Sequence, residues 1–468
     1  MSVMAAAAPA TRLDDDYSLR LCQCIAGWRF EDLPSAVVQT LKLLLLDTLG
    51  VIGGARHAPG IGELNRRLAK WESSGSATGL IGKRRYSPPT AALANGAAAH
   101  ALDFDDQHDP ARAHTSCVML PVLLATAEDI GMVTGKDFLL AFAIGAELQA
   151  RLGVACYSSL GIGWHPTMIF GTVAGALAAG SLLRLDAEGL RNALGMAFHQ
   201  AGGSAQSMRD GVLSKRYGPG FAARAAVLGA FLAADGLTGT RRPLEGDAGL
   251  FSLYARGEVN AQVLTDKLGE TWCIPEYSFK PWPGCRCNHT TIGLGIALNA
   301  KGVAAGEVKR VEIGLGNLNW LTVGGPYNAR QPSATHAQFN AAYSFARALI
   351  DGRVDLSSYQ ENALNEPAIV GLTAKTRVVN DPAIDAASQA ARVTLTLNDG
   401  RVIEETRTTM KGSPLEPMSE HELMAKFRGC LEFGTGASTA RADRLAGVAM
   451  QIEREADAAA AIVAAFPE

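Results

Sequence analysis

Charge is what this chain has least of. Asp, Glu, Lys and Arg make up 19% of its 468 residues, against about 25% in ordinary soluble proteins. The two signs nearly cancel, 43 basic against 46 acidic, for a formal charge of -3. No basic face able to hold a polynucleotide by counterion release is implied, so nucleic acid is excluded as a partner. Eight cysteines, scattered from Cys22 to Cys430, are too sparse for a disulfide framework and fit reduced thiols in a cytoplasm. The start of the chain has an alanine run but no basic region, and Asp14-Asp15-Asp16 interrupts it, so it reads as a frayed arm rather than a signal peptide. Familiar catalytic fingerprints are missing as well: there is no G-x-x-x-x-G-K-[ST], complete G-x-G-x-x-G, G-x-S-x-G or H-E-x-x-H. Nucleotide-binding, serine-hydrolase and zincin readings lose their best support.

What the chain does have is apolar helix. Glycine is abundant, 50 residues, and hydrophobic residues make up 48%, which suits helices that approach one another closely. The stretch between Arg151 and Arg184 carries no charged residue and is long enough to span a bilayer. His165-Pro166 sits inside it among Ser158, Ser159, Gly161 and Gly163, so it reads as helix, loop, helix in a soluble protein with no membrane partner. Helical spacing starts after Asp32-Leu-Pro34 and continues through Pro88 to His100 (with Ser87 as N-cap), Cys117 to Ile130, Lys136 to Ala155, Ile169 to Leu183, Ala187 to His199 and Phe221 to Ala234. Near Trp272 the character changes. Prolines 275, 281 and 283 break the helices, Val311 to Leu315 alternates, and Ala391–Leu397, Asn398-Asp-Gly400 and Arg401 to Thr409 read as a hairpin. Helices are expected at Thr290 to Ala300 and His336 to Ile350, then at Glu420 to Cys430, Thr439 to Arg454 and Ala458 to Ala465. The expected fold is mainly α: a large all-α domain from residues 1–271 and 410–468, with a smaller inserted α+β domain at 272–409.

Four segments place polar groups among apolar or glycine-rich neighbours, as desolvated catalytic pockets require. The first runs from His100 through Asp103, Asp105, Asp106, His108 and Asp109 to Arg112 and His114. It reads as an acid/base network, against a plain capping loop or, with a smaller share, a metal site. The second is Trp164-His165-Pro166, where a satisfied core histidine is the bland alternative. In the third, Lys215 and Arg216 open a helix and suit a carboxylate-bearing ligand, against a solvated basic turn. The fourth is Phe279-Lys-Pro-Trp-Pro-Gly-Cys-Arg-Cys-Asn-His289. Cys285-x-Cys287-x-His289 departs from structural zinc spacing and has no second pair nearby, so no metal is expected.

Together these segments resemble the MmgE/PrpD family, which includes 2-methylcitrate dehydratase, cis-aconitate decarboxylase and iminodisuccinate epimerase. The resemblance is carried by Ala101-Leu-Asp-Phe-Asp-Asp106 with His114-Thr-Ser116, His165-Pro166, Lys215 with Gly220-Phe-Ala-Ala223, Phe279-Lys-Pro-Trp-Pro283 with His289, and Met410-Lys-Gly412 with Lys426-Phe427. It implies that the inserted α+β domain is a lid over a cleft, a homodimer, and no metal or organic cofactor. The decarboxylase's aspartate, two histidines and lysine match Asp103, His114, His165 and Lys215; its lid histidine and a later tyrosine fall on Cys285 and Trp320. The expected chemistry is proton abstraction next to a carboxylate of a small polycarboxylate, catalysed by Asp103, His114, His165, Lys215 and Cys285, with Arg112, Arg286, His289 and Trp320 binding substrate. Asp103 is expected to fix a histidine tautomer. A thiol at Cys285 tilts the expectation towards epimerisation of an amino-polycarboxylate such as iminodisuccinate, with dehydration and then decarboxylation as alternatives. From other classes, a silent polycarboxylate-binding scaffold and a pyridoxal phosphate enzyme using Lys215 remain open.

Overall fold

The computed structural model describes residues 16–156 and 163–468. Buried apolar side chains fall into two clusters. One joins residues from Leu21 to Phe279 with Leu423 to Phe466; the other runs from Cys285 to Leu397. The protein is therefore mainly helical, with a small α+β part inserted before the chain returns to the helical body.

Small residues set the helix spacing. The Ser214–Ala234 helix lies across Pro88–His100 so closely that a Cβ added to Gly220 would fall 2.4 Å from the Leu93 carbonyl oxygen. Gly220→Ala is expected to lower stability by about 1 to 3 kcal/mol through overpacking, despite its better helix propensity. Gly447, in the Thr439–Met450 helix, has open space around it, and there the same change should raise stability by up to about 1 kcal/mol. Urea unfolding midpoints of the two variants check the contrast. At the other end, a Cβ on Gly434 would sit 2.1 Å from the Gly53 carbonyl, which seats Glu420–Thr435 on Ser35–Gly54.

The helices at Ser35–His57 and Gly135–Ala155 are long and apolar enough to cross a membrane, but 67% and 89% of their apolar windows are buried inside the protein. The uncharged stretch is divided between Gly135–Ala155 and Pro166–Leu182. Ser158, Ser159 and Gly161 of the expected loop lie outside the described residues, as does almost all of the expected N-terminal arm.

In the α+β part, four strands lie in the order Thr376–Asn380, Val308–Leu315, Ala391–Leu397, Val402–Arg407. The last three are antiparallel, with Leu395 opposite Ile403, and Gly400 takes the positive φ of 90° that the hairpin turn demands. Thr376–Asn380 pairs in parallel with Val308–Leu315; its short Thr-Arg-Val-Val-Asn run carries no alternation, and sequence patterning passes over it.

Three local expectations are corrected. The third-segment helix begins at Ser214, not Phe221, and continues through Pro219, so Lys215 lies in its first turn. The expected His336 to Ile350 helix breaks at Phe339–Asn340, because Asn340 caps the Ala341–Asp351 helix by accepting from the Tyr343 amide. Ser87 takes the expected N-cap position of Pro88–His100 but makes no side-chain cap hydrogen bond: its hydroxyl donates to Glu72 instead.

Candidate active site

The chain leaves the Pro88–His100 helix through a loop in which Asp103 has φ 51°, a left-handed conformation that aspartate tolerates better than most residues. That loop is gripped from the α+β side. Lys280 Nζ donates to the Asp103 carbonyl at 2.9 Å and to its Oδ1 at 2.8 Å, the Gly284 amide donates to the same carbonyl at 2.9 Å, and Gln338 Nε2 donates to the Leu102 carbonyl at 2.8 Å. Lys215 Nζ approaches Asp103 Oδ1 to 3.2 Å and lies 4.8 Å from the centre of the Phe339 ring. Burial alone would raise the Asp103 carboxyl, but Lys215 and Lys280 outweigh it and hold the group well below the usual carboxylate range.

Behind Asp103 stands a second charged set. Asp105 Oδ2 lies 2.8 Å from His100 Nδ1 and 3.2 Å from His114 Nδ1, and His114 Nδ1 also meets the Asp106 carbonyl at 2.8 Å. Carboxylate and carbonyl oxygens only accept, so both rings carry a proton on Nδ1 and, when neutral, turn a bare Nε2 lone pair outward. Burial opposes ionisation of Asp105, yet His100 and His114 hold it well below its ordinary value. Asp106 instead accepts from the Ser116 amide at the start of Ser116–Ile130; burial and then Asp105 push it up to about 7.

His165 precedes the first turn of Pro166–Leu182 and is held by its amide on the Gly203 carbonyl. Its ring lies 6.2 Å from that of His100, which is itself 4.8 Å from that of His114. Burial, then Lys215, keeps the His165 pKa well below 6.5. Buried atoms here without a hydrogen-bond partner include His100 Nε2, Asp103 Oδ2, Asp105 Oδ1, His165 Nδ1 and, apart from its ion pair with Asp103, Lys215 Nζ. Asp103, His165 and Lys215 are each exposed to 4% or less.

The structure thus gathers Asp103, His114, His165 and Lys215 around His100, and it corrects two assigned roles. The carboxylate that orients the histidines is Asp105; Asp103 is committed to the two lysines. Arg286 is not a free cation for substrate. Its guanidinium meets Asp109 at 3.3 and 3.2 Å, donates to the Lys411 carbonyl at 2.8 Å and contacts His289 Nδ1 at 3.3 Å, with 1% of the residue exposed. His289 keeps its Nδ1 on that guanidinium and packs 5.6 Å from the Trp282 ring, while its buried Nε2 has no hydrogen-bond partner. Cys285 lies near Lys280 and Asp103, but Cys287, which accepts from its thiol, and then burial push that thiol well up. Trp320 is half-buried against the α+β core, and Arg112 sits in the left-handed region with φ 50°. His100, Asp105 and Lys280 were missed as site residues. Lys280 could have been found as the one charge inside Phe279-Lys-Pro-Trp-Pro283.

Ligand atoms of His100, Asp103 and His114 lie within 4.8 Å of one another, as do those of His100, Asp105 and Cys117. Neither set suits a divalent cation. The first would force it against the two ammonium groups on Asp103; in the second, burial and then Asp105 and Asp106 keep the Cys117 thiol protonated.

The His100 ring also predicts a pH effect. Burial keeps it neutral and lowers its pKa from 6.5 to about 4. The unfolded chain gains a proton below 6.5 that the folded chain refuses, so the stability from this group is complete above 6.5 and is lost as pH falls towards 4, by roughly 3 kcal/mol. Asp106 works the other way, stabilising most at low pH and less as pH rises towards 7. Comparing His100→Gln with the parent removes only the first slope. Thermal melts across that window should converge for the two proteins as pH falls.

A helical body with an inserted α+β part surrounds a buried cluster of histidines, aspartates and lysines, groups able to exchange protons in a site shielded from water. The MmgE/PrpD N-terminal domain matches residues 19–262 and the MmgE/PrpD C-terminal domain residues 282–451, and the chain belongs to the MmgE/PrpD family. It is similar to the cis-aconitate decarboxylase-like protein oryM of Aspergillus oryzae, 29% identical with 95% of this chain and 96% of that protein covered. Cis-aconitate decarboxylase of Homo sapiens is 29% identical, covering 86% and 85%, and that of Aspergillus terreus 27%, covering 87% and 88%. These relatives carry the names of lyases, and the epimerase expectation finds no support among them.

Proposed function

We propose that the chain is a lyase that breaks a bond next to a carboxylate of a small polycarboxylate, and that its reaction is decarboxylation of a cis-aconitate-like tricarboxylate. The observation that carries this is the set of buried, unpartnered atoms on Lys215, Asp103, His100 and His165. Lys280 is already bonded to Asp103, so Lys215 is the lysine with a donor to offer a substrate carboxylate. As the carbon–carbon bond breaks and carbon dioxide leaves, its electron pair forms a new double bond, and the pair displaced from the old one takes a proton from a histidine. Water exclusion from so buried a site favours that loss of charge.

Entry of a polyanion raises the affinity of neutral histidines for protons. Binding a non-reacting tricarboxylate is therefore expected to take up about one proton near neutral pH; calorimetry in two buffers of different ionisation enthalpy measures it.

Cys285 does not serve as the second base of an epimerase, because Cys287 and burial hold its proton in place. Hydration and dehydration is the second reading, favoured by Cys285 and Trp320, which stand where the decarboxylase resemblance places a histidine and a tyrosine. A panel of cis-aconitate, 2-methylcitrate and iminodisuccinate in deuterated buffer, followed by proton NMR, separates loss of carbon dioxide from loss of water and from inversion. Inversion alone would refute the lyase reading.

A further inference from the structure

The loop at 102–106 carries Asp103 and Asp105, and its carbonyls are held by side chains and amides from several directions. Gln338 donates to that of Leu102, Lys280 and Gly284 to that of Asp103, and His114 meets that of Asp106. The Phe104 carbonyl, between them, is held from the helical body: Lys426 Nζ donates to it at 2.7 Å. Lys426 stands on Glu420–Thr435, and its ammonium lies 2.7 Å from Asp47 Oδ1 on Ser35–Gly54, with 3% and 1% of the two side chains exposed. Apart from that ion pair, neither Asp47 oxygen has a hydrogen-bond partner. Close packing brings the three elements together: a Cβ on Gly54 would lie 3.0 Å from Leu102 Cδ1 and 3.1 Å from the Cys430 carbonyl oxygen.

An ammonium has three protons to donate. Here Nζ faces Asp47, the Phe104 carbonyl and the Phe104 ring, whose centre is 4.1 Å away. Lys426 therefore acts through the loop and not on a substrate. We propose that Lys426, seated on Asp47, is a positioning residue: it fixes the peptide plane between Phe104 and Asp105 and so aims the Asp105 carboxylate at His100 and His114.

The Phe104 carbonyl oxygen lies in the same rigid plane as the Asp105 nitrogen and Cα. Holding that oxygen fixes the rotation of the plane, and with it the direction in which the Asp105 side chain leaves the backbone. Asp105 Oδ2 is thereby kept 2.8 Å from His100 Nδ1 and 3.2 Å from His114 Nδ1. Stability alone does not account for the pair, because buried ion pairs replaced together by apolar residues are often no less stable. The bond to the loop is what an apolar pair could not supply. Its consequence for turnover rests on the lyase reading; its consequence for the histidines does not.

Two variants remove that bond. Asp47→Leu/Lys426→Met does so without leaving a buried charge, whereas Lys426→Met alone strips Asp47 of its counter-ion. Burial already raises the Asp47 carboxyl against the pull of Lys426, so the single variant should melt lower than the double at neutral pH. Both lack the donor. In each, kcat should fall by about 10²-fold with KM nearly unchanged, whatever the difference in melting temperature. Proton NMR of the substrate-free protein in water follows the Nδ1 protons of His100 and His114, assigned by isotope labelling of histidine and by His100→Gln. Those resonances should shift in both variants, and either variant alone carries both readouts if the other fails to fold. Resonances that keep their positions, or a double variant with the parent's kcat, would overturn the proposal. If the parent acts on none of the panel substrates, the lyase reading fails and the resonances still decide the positioning role.

Discussion

Asp105→Asn is expected to lower kcat/KM by about 10³ to 10⁴-fold while leaving the backbone intact. The reason lies in the acceptor-only character of a carboxylate. Asp105 Oδ2 takes the Nδ1 proton of His100 and lies within 3.2 Å of His114 Nδ1, so a single oxygen fixes how both rings present their other nitrogen. A carboxamide has one accepting oxygen and one donating nitrogen. If its nitrogen faces His100, that ring must move its proton to Nε2, and the lone pair aimed into the site disappears. The His114 ring keeps the Asp106 carbonyl and is disturbed less. Steady-state kinetics together with a circular dichroism spectrum separates this loss from misfolding. A fall of less than ten-fold would show that the histidines are oriented by something else.

Lys215→Met should cost about 10² to 10³-fold in kcat/KM, the usual effect of removing one donor to developing negative charge. Methionine keeps an unbranched chain of similar length against the Phe339 ring, so packing is nearly conserved. Asp103 retains its two hydrogen bonds from Lys280 and is not left as a bare buried charge. Loss of activity without a comparable fall in melting temperature is the expected pattern. The converse, lost stability with normal turnover, would make Lys215 a structural counter-ion.

Much of this architecture is legible in the residues. Pro88–His100 and Ala458–Ala465 follow from helical spacing and appear with the expected ends, and Asn398-Asp-Gly400 marks its hairpin. What escapes is set by partners distant in sequence. Thr376–Asn380 becomes a strand because Val308–Leu315 is there to pair with it. Asn340 ends one helix and starts another because its side chain can cap Tyr343 and donate to the Gly325 carbonyl.

The site divides the same way. Polar residues in apolar surroundings marked the segments, the family resemblance singled out Asp103, His114, His165 and Lys215 within them, and the structure brings these four together. Spacing could not say which of the neighbouring aspartates faces the histidines, since Asp103, Asp105 and Asp106 differ only in the turn of a short loop. The φ of 51° at Asp103 sends its carboxylate to the lysines and leaves Asp105 for the rings. Arg286 looked available because its partner Asp109 is remote in sequence. Lys280 was overlooked because a lone lysine among prolines and aromatics reads as a surface residue until its ammonium is found buried on Asp103.

The most direct test is a proton NMR time course of cis-aconitate with the purified protein in deuterated buffer, run beside Asp105→Asn. The account predicts release of carbon dioxide by the parent, with one deuterium placed on the carbon that receives the histidine's proton, and a rate lower by about three orders of magnitude or more in the variant. Unchanged cis-aconitate under conditions where iminodisuccinate inverts, or equal rates for the two proteins, would contradict it.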